Sequence, residues 1–233
     1  MTKQIAGKKE STEKECMAGK MKSSERKQGL VTDKFTVGYG KKVILSNVNL
    51  MAEPGRVLTL IGPNGSGKST ILKSIVKQLK SLDGVVYLNG KATSEMKEAE
   101  IAKSLSMVMT EHIHPELMSC RDVVATGRYP YTGRLGILDK QDWKLVDEAI
   151  TMVHAEEVAE QSFTRISDGQ RQRVMLARAI CQDTAILVLD EPTSYLDIRY
   201  KLEFMSVLQE LARRKKVAVI LSIHELDLAE RVS

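Results

Sequence analysis

The sequence has few cysteines, few aromatic residues and no long apolar run, and each shortage excludes a class of protein. Its three cysteines, Cys16, Cys120 and Cys181, are widely separated, so they provide neither a disulfide framework nor a metal-binding motif, and they fit a reducing compartment. No run of about 18 apolar residues occurs, so we predict no membrane-spanning helix. With 42% hydrophobic and 28% charged residues, the 233-residue chain has the composition of a soluble globular protein with a substantial core.

The chain also lacks an excess of basic residues outside one short segment. Its net charge is +5, and residues 1–28 account for +4 of it, with seven Lys and one Arg against four Glu. This Lys-, Glu- and Ser-rich segment contains few apolar residues, so we expect a solvated, disordered tail. A weak attraction of the tail to anionic lipid or nucleic acid is the alternative. The remaining residues carry a net charge of +1, so nucleic acid is not expected as a partner.

Beyond the tail, apolar runs typical of strands alternate with helical patterns, as in an α/β protein. The segment from 34 to 50 alternates between apolar and polar residues and turns at Gly38–Gly40, which predicts antiparallel strands. The later runs AILVLD and VAVILS are continuously apolar, which is typical of parallel strands covered on both faces. Between these two regions, residues 110–165 are predicted to be a helical insertion, with helices beginning near Ser119 and Asp139.

A glycine-rich segment between a predicted strand and a predicted helix has the pattern of a phosphate-binding loop. The strand RVLTLI leads into GPNGSGKST, which matches G-x-x-x-x-G-K-[ST] from Gly62 to Ser69. Glycines allow backbone N–H groups to point at phosphates, Lys68 supplies a positive charge for the β- and γ-phosphates, and the Ser69 hydroxyl is a ligand for Mg²⁺. The predicted ATP-binding residues of this loop are Gly62, Pro63, Asn64, Gly65, Ser66, Gly67, Lys68, Ser69 and Thr70.

Three further polar residues lie at the carboxyl ends of predicted strands. Asp190 ends the strand AILVLD, where it is placed to hold Mg²⁺ directly or through water, and Glu191 is the candidate general base that deprotonates the attacking water. His224 comes directly after VAVILSI and is a candidate to hydrogen-bond a γ-phosphate. Ligands gather at this edge of open α/β sheets, so we expect Lys68, Glu191 and His224 to converge.

The sequence lacks the Asn-Lys-x-Asp element by which GTPases recognise guanine, so GTP is disfavoured as the nucleotide. Tyr39, in the early glycine turn, is the candidate aromatic ring on which an adenine stacks. A second short glycine element, ISDGQ, begins a predicted helix at residues 166–170, where free backbone N–H groups can hold an anion.

Four segments occur in the order and spacing of an ATP-binding-cassette (ABC) ATPase: GPNGSGKST, ISDGQRQR, LVLDEPTSYLD and SIHELDLA. Residues 29–233 resemble one domain of that family. The resemblance implies a P-loop NTPase fold with a mixed or parallel core sheet, N-terminal antiparallel strands and a helical subdomain at about 110–165. It also implies a head-to-tail dimer that encloses two ATP molecules. Ser167, Gly169 and Gln170 would then contact the ATP held by the other subunit, and Asp197 would communicate across the dimer.

Three features depart from the usual cassette. Asp168 replaces the first glycine of the usual Leu-Ser-Gly-Gly-Gln element, which places a carboxylate near a γ-phosphate unless the side chain turns away. The glutamine that senses Mg²⁺ is absent, and Thr110 followed by Glu111 occupies its position, so either side chain is a candidate metal ligand. The sequence ends nine residues after His224, where such cassettes usually continue, so we expect a C-terminally truncated domain.

The segment VVATGRYPYTGRLG, at residues 123–136, is similar to cassettes that drive uptake of iron–siderophore complexes, haem or cobalamin. The resemblance implies an ATP-hydrolysing subunit, with ATP and Mg²⁺ as cofactors, at the cytoplasmic face of a membrane. A separate permease would dock on the helical insertion, and a substrate-binding protein would act indirectly. Arg128, Tyr129 and Tyr131 in this segment could equally be packing and surface residues. The alternative function is a soluble ABC-type ATPase in DNA repair or cofactor assembly.

Overall fold

The computed structural model describes residues 29–109, 115–133, 136–194 and 196–224. The predicted tail at 1–28, the candidate metal ligands Thr110 and Glu111, and the segment after His224 lie outside the described residues. Strands β1 to β9 are Leu30–Tyr39, Lys42–Val48, Met51–Ala52, Val57–Ile61, Asp83–Leu88, Lys91–Ala92, Leu105–Val108, Ile186–Asp190 and Ala218–Ile223. Helices α1 to α6 are Lys68–Ile75, Glu98–Ser104, Cys120–Ala125, Lys140–Met152, Asp168–Cys181 and Ile198–Lys215.

The N-terminal strands form an antiparallel sheet in the order β2-β1-β5-β6, with β3 also paired to β1. The hairpin between β1 and β2 closes with Tyr39 opposite Lys42. Gly40 has a positive φ of 57°, a conformation that glycine adopts at little cost. The turn lies at Gly40 and Lys41, at the end of the predicted glycine segment, whereas Gly38 lies within β1 and pairs with Val43.

The second sheet is parallel, in the order β4-β9-β8-β7. Every residue of β8 and β9 is buried, because alternate side chains enter two hydrophobic cores on opposite faces. Leu187 and Leu189 pack into the core that contains the helical insertion and α5, whereas Ile186 and Val188 pack into the core shared with α1 and the antiparallel sheet. The predicted α/β fold, with a parallel core and N-terminal antiparallel strands, is confirmed.

The parallel register brings the carboxyl ends of three strands to one edge. Ile61 at the end of β4 pairs with Ile223 of β9, and Asp190 at the end of β8 pairs with Ser222 of β9. The glycine loop follows β4, Glu191 follows β8 and His224 follows β9. The three segments on which the predicted chemistry depends therefore leave the sheet side by side.

The two helices of the insertion begin at the predicted positions. Ser119 caps α3 in a reciprocal pair with Asp122, and Asp139 caps α4 in the same way with Asp142. Both helices pack against α5, the helix that follows the ISDGQ element. The insertion is thereby attached to that helix.

Candidate nucleotide-binding site

The glycine loop lies between β4 and α1, and its backbone requires glycine at two places. Gly65 and Gly67 have φ values of 80° and 95°. A Cβ on Gly67 would lie 2.9 Å from side-chain atoms of both Ile44 and Leu45, so a larger residue would displace strand β2. Gly67 is also the N-cap residue of α1, so the free N–H groups of the helix face the loop.

Lys68 is buried, and its ammonium group is directed back into this loop. The residue is 8% exposed. Its Nζ donates to the carbonyl oxygens of Gly62 at 2.7 Å and Pro63 at 3.1 Å, and it lies 3.2 Å from His224 Nδ1. A concentrated positive charge therefore stands where the loop backbone can also surround an anion.

Asp190 and Ser69 bring oxygen ligands together at the sheet edge. Asp190 is 3% exposed, and its Oδ1 accepts hydrogen bonds from Ser69 Oγ at 2.9 Å and Ser222 Oγ at 2.8 Å. Carboxylate and hydroxyl oxygens are the ligands that Mg²⁺ prefers, so the donor set of Ser69 and Asp190 fits this ion. Within the described residues, no group of three or more His, Cys, Asp or Glu residues could hold a metal ion.

Glu191 leaves strand β8 in a left-handed backbone conformation. Its φ is 48°, which costs a non-glycine residue about 1–3 kcal/mol and persists only where neighbours hold it. Its backbone N–H donates to Ser222 Oγ at 2.9 Å. Its carboxylate Oε1 lies 2.5 Å from His224 Nε2, and its Oε2 accepts from Ser194 Oγ at 3.4 Å. The Glu191 carboxylate is thus held beside His224, which also contacts Lys68 of the glycine loop.

His224 lies between Lys68 and Glu191, and its Nδ1 is also 3.4 Å from the carbonyl oxygen of Gly62. The Lys68 ammonium can only donate, so His224 Nδ1 accepts its hydrogen bond at 3.2 Å. The Nε2 N–H donates to Glu191 Oε1 at 2.5 Å. The expected convergence of Lys68, Glu191 and His224 is confirmed as a hydrogen-bonded chain.

Tyr39 lies at the end of β1 with most of its ring accessible. It is 55% exposed, and its hydroxyl is 3.5 Å from Thr70 Oγ1 at the start of α1. An exposed aromatic ring beside the phosphate loop offers a flat apolar face to a base. The position is compatible with the predicted stacking of adenine.

The second glycine element forms the start of α5 and makes its own set of contacts. Ser167 Oγ accepts from the N–H of Gln170 at 3.3 Å, and Gln170 Oε1 accepts from the N–H of Ser167 at 3.0 Å. This reciprocal pair fixes the first turn of the helix. A Cβ added to Gly169 would lie 3.6 Å from a side-chain carbon of Leu196, which is an ordinary van der Waals distance. Ser167, Gly169 and Gln170 thus lie outside the hydrogen-bonded chain around Lys68.

Asp168, the unusual residue of this element, directs its carboxylate along its own helix. Its Oδ1 accepts from Arg171 Nη1 at 2.5 Å. Arg171 is held in turn by the carbonyl oxygen of Ile166 at 3.2 Å and lies over the Phe163 ring at 5.7 Å. The negative charge at this position therefore has a positive partner on the same helix.

Two contacts connect the loop after β8 to neighbouring helices. Gln172 Nε2, in α5, donates to the carbonyl oxygen of Pro192 at 2.7 Å. Asp197 caps α6 by accepting from the N–H of Tyr200 at 3.1 Å. The residues that follow Glu191 are thus held between α5 and α6.

In the segment that resembles that of metal-chelate importers, Arg128 is a buried packing residue. Arg128 is 7% exposed, and its guanidinium donates to Asp142 Oδ1 at 2.8 Å and to the Cys181 carbonyl oxygen at 3.0 Å. It also stacks on the Tyr131 ring at 4.1 Å. Tyr129 is 55% exposed. Of these three residues, only Arg128 is buried, whereas Tyr129 and Tyr131 are 55% and 37% exposed, with the Tyr131 ring against the Arg128 guanidinium.

Ser222 is a site residue that the motif analysis did not identify. It is 0% exposed and contacts both Asp190 and Glu191. The available signal was one hydroxyl in the otherwise apolar run AVILSI, two residues before His224. A buried polar residue in such a strand requires partners, and at a sheet edge those partners belong to the site.

Comparisons with known proteins agree with this geometry. A family model described as ABC transporter matches residues 45–194. An uncharacterised ABC transporter ATP-binding protein of Methanocaldococcus jannaschii is 44% identical over 204 residues, covering 88% of this chain and 70% of the relative. The iron(3+)-hydroxamate import ATP-binding protein FhuC of Bacillus subtilis is 38% identical over 204 residues, covering 88% and 76%. The achromobactin transport ATP-binding protein CbrD of Dickeya dadantii is 37% identical over 202 residues, covering 87% and 75%.

Solved structures share the architecture. A dimeric ATP-binding cassette in a post-hydrolysis state, bound to ADP and Pi, matches with a TM-score of 0.73 and 27% identity, covering 86% of this chain and 90% of that chain. An inward-facing ABC transporter of the metal-chelate type matches with a TM-score of 0.77, covering 88% and 77%, and at 24% identity this likeness concerns the fold. Across the described ranges, no helix has the length and apolar character needed to cross a bilayer.

Proposed function

The chain belongs to the ABC transporter family and is an ATP-binding subunit that hydrolyses ATP, and from this premise we propose that it drives the import of iron–siderophore complexes. The observation that carries the proposal is the 38% identity, over 88% of the chain, to a protein that imports iron(3+)-hydroxamate. Haem and cobalamin, which the sequence also allowed, have no counterpart among the relatives described above. Those relatives also give no support to the alternative of a soluble repair or assembly ATPase.

In this proposal the glycine loop holds the phosphates of ATP, and Lys68 neutralises their charge. The loop residues Gly62 to Thr70 offer backbone N–H groups, and the Tyr39 ring stacks on the adenine. Lys68 already donates to two carbonyl oxygens and to His224. A γ-phosphate oxygen competes with these neutral acceptors, and a charge-assisted bond to an anion is about twice as strong.

Ser69 and Asp190 are the described residues that would hold Mg²⁺. Their oxygens are 2.9 Å apart. When bound, the ion supplies positive charge that stabilises the phosphate oxygens during transfer. Thr110 and Glu111, outside the described residues, stay candidates for a further ligand.

Glu191 is the proposed general base, and His224 the residue that responds to the γ-phosphate. The Glu191 carboxylate orients a water molecule and accepts its proton as the oxygen attacks. His224 holds that carboxylate through Nε2, and Lys68 holds the other side of the ring. Movement of Lys68 towards a phosphate would therefore remove the hydrogen bond that His224 Nδ1 accepts, and Nδ1 could donate to a phosphate oxygen only after taking up a proton.

A second copy of the chain is proposed to complete each site. The start of α5, with Ser167, Gly169 and Gln170, would close over the ATP held by its partner. Asp197, at the start of α6, would lie at this interface and transmit the state of one site to the other. The dimeric cassette bound to ADP and Pi supports such an arrangement.

The remaining partners are a membrane permease and, indirectly, a substrate-binding protein. The helical insertion is the proposed docking element for the permease, and the chain would then lie peripherally at the cytoplasmic face.

The test is to purify the full chain with its co-purifying permease, reconstitute both in vesicles, and compare uptake of radiolabelled ferric hydroxamate, haem and cobalamin. We expect ATP-dependent uptake of ferric hydroxamate. A complex that hydrolyses ATP but imports no iron chelate contradicts the proposal, and uptake with Glu191→Gln gives the background.

A further inference from the structure

Ser222 is a buried hydroxyl in a strand that is otherwise apolar. Strand β9 has the sequence AVILSI, and all six of its residues are buried. Ser222 itself is 0% exposed. Removal of a hydroxyl from water is unfavourable unless protein atoms replace its hydrogen bonds. The atoms that Ser222 contacts therefore indicate why a serine stands in this strand.

The Ser222 hydroxyl joins two neighbouring residues at the end of β8. It donates to Asp190 Oδ1 at 2.8 Å and accepts from the backbone N–H of Glu191 at 2.9 Å. The parallel register pairs Ser222 with Asp190, so one short side chain reaches both groups. The donor and one acceptor position of this hydroxyl are thus used within the site.

Each of these bonds fixes a different part of the catalytic geometry. The bond to Asp190 orients the carboxylate whose Oδ1 also accepts from Ser69 at 2.9 Å. The bond from the Glu191 N–H fixes the backbone of Glu191, whose φ is 48°. This backbone conformation, uncommon for a residue with a side chain, directs the Glu191 carboxylate to His224 Nε2 at 2.5 Å.

We propose that Ser222 is a positioning residue for ATP hydrolysis, which keeps the metal-site carboxylate of Asp190 and the general base Glu191 in a fixed relation. Ser222 makes no contact with the reacting atoms and acts through these two residues. The inference rests on the proposed function, because that function gives Asp190 and Glu191 their roles.

The test uses the full chain with Ser222→Ala, with Ser222→Thr and with Ser106→Ala as a matched control. Ser106 is also a buried serine in the parallel sheet, 2% exposed, and its hydroxyl accepts from Thr184, which precedes β8. We would measure kcat and KM for ATP, the Tm of each variant, and the difference in Tm between ATP with Mg²⁺ and ATP with EDTA.

For Ser222→Ala we expect kcat to fall about ten- to hundred-fold while KM for ATP changes less than about three-fold, because misplaced catalytic groups affect turnover more than binding. The Mg²⁺-dependent difference in Tm should shrink in the same variant. Ser222→Thr retains the hydroxyl and should keep kcat within about five-fold of the unaltered chain. Ser106→Ala should change neither kcat nor the Mg²⁺-dependent difference.

Two results would overturn the inference. One is a kcat for Ser222→Ala within about two-fold of the unaltered chain, and the other is an equal loss of kcat in Ser106→Ala, which would reveal a general packing effect. If Ser222→Ala does not unfold cooperatively, Ser222→Cys decides the question by the same kcat threshold, because a thiol is similar in shape but a weak donor. Normal turnover in a Glu191→Gln variant would instead contradict the proposed function. If Glu191→Gln loses turnover while Ser222→Ala stays active, only this inference is contradicted.

Discussion

At the scale of single residues, the charged side chains of the site are bonded to one another across strand ends. Lys68 donates to His224, and His224 donates to Glu191. Each group thus keeps a partner in a partly buried position, where an unpaired charge is unfavourable. A bound γ-phosphate can enter only by exchanging some of these partners, so binding of ATP and alignment of the base are coupled.

The role of Glu191 leads to the first prediction. Glu191→Gln preserves the side-chain shape and a hydrogen-bond acceptor, but an amide cannot take the proton of the attacking water. We expect ATP binding to persist and hydrolysis to fall by about 10²–10⁴-fold, with ATP-dependent dimers accumulating in size-exclusion chromatography. Glu148→Gln, on the exposed face of α4, is the matched control and should be fully active. Normal turnover in Glu191→Gln would remove this residue from the catalytic role.

Asp168 and Arg171 lead to a second prediction at the same scale. Loss of the Arg171 charge would leave the Asp168 carboxylate without its partner at 2.5 Å, close to where a phosphate of the other subunit is proposed to bind. Arg171→Gln should therefore raise KM for ATP about three- to ten-fold, since one unit charge near another in a high-dielectric setting contributes about 1 kcal/mol.

The companion variant separates this repulsion from other effects of Arg171. Adding Asp168→Gly, which restores the residue usual in the family, should return KM to within about two-fold of the unaltered chain. A KM that stays high in the double variant would mean that Arg171 itself attracts the phosphate.

At the scale of elements, two arginines add hydrogen bonds to the packing of the helical insertion against α5. Arg128, in the segment between α3 and α4, bonds to Asp142 in the first turn of α4 and to the last residue of α5, Cys181. Arg178 of α5 is directed back to the same segment, with its Nε donating to Thr126 Oγ1 at 2.8 Å. The insertion and the helix that carries Ser167 are therefore joined at the end of α5 remote from Ser167.

The Arg128–Asp142 pair gives a prediction about stability. Its side chains are 8% and 13% exposed. Arg128→Met should reduce the free energy of unfolding by about 3–5 kcal/mol in urea titrations, because it leaves the Asp142 carboxylate buried without its counter-charge. Arg128→Met with Asp142→Leu should recover most of the loss. A single variant as stable as the unaltered chain would contradict the importance of this pair.

The same pair predicts how stability depends on pH. Burial raises the pKa of the Asp142 carboxyl, but the hydrogen bond and charge of Arg128 and the N–H of Asp139 together lower it below the ordinary value. The unfolded chain then binds this proton at a higher pH, so the contribution of Asp142 is present above about pH 4 and is lost as the pH falls towards the lowered pKa.

Urea unfolding at several pH values tests this dependence. We expect Asp142→Asn to be less stable at pH 7 and to lose less stability than the unaltered chain between about pH 4 and pH 2. Parallel acid profiles for the two proteins would contradict the lowered pKa. The asparagine keeps an oxygen that can accept from the N–H of Asp139, so the cap of α4 is retained.

At the scale of the whole molecule, one sheet edge carries the glycine loop that is proposed to hold the nucleotide. The hydrogen-bonded chain around Lys68 and the turn at Ser167 make separate sets of contacts within one copy. Under the proposed function, the Ser167 element of a second copy completes the enclosure of each nucleotide. The rate of hydrolysis should therefore depend on the concentration of the chain.

The expected result is a rate that rises more steeply than linearly with chain concentration at saturating ATP. Below the dissociation constant of the dimer, the rate should approach the square of the concentration, because dimers form by mass action. Ser167→Arg should abolish this rate and leave ATP binding unchanged, whereas Ser94→Arg, on the exposed surface, should have no effect. A constant specific activity over about a hundred-fold range of concentration would contradict the composite site.

The sequence by itself determined the main apolar strands, the starts of the insertion helices, the phosphate loop and the identity of most charged residues at the sheet edge. These features depend on local patterns: continuous apolar runs, glycines before a helix, and capping pairs such as Ser119 with Asp122. Short-range pairs of this kind lie within one or two turns of the chain, so the sequence alone contains them.

Only the tertiary structure decided the pairings between distant residues. Ser222 contacts Asp190 because two parallel strands align in one register, and Asp168 is neutralised because its side chain turns along α5 towards Arg171. Similarly, only the position of α5 beside Arg128 shows that this arginine is a packing residue. Register and side-chain direction are set by packing of the whole core, in which many distant residues take part, and no local pattern specifies them.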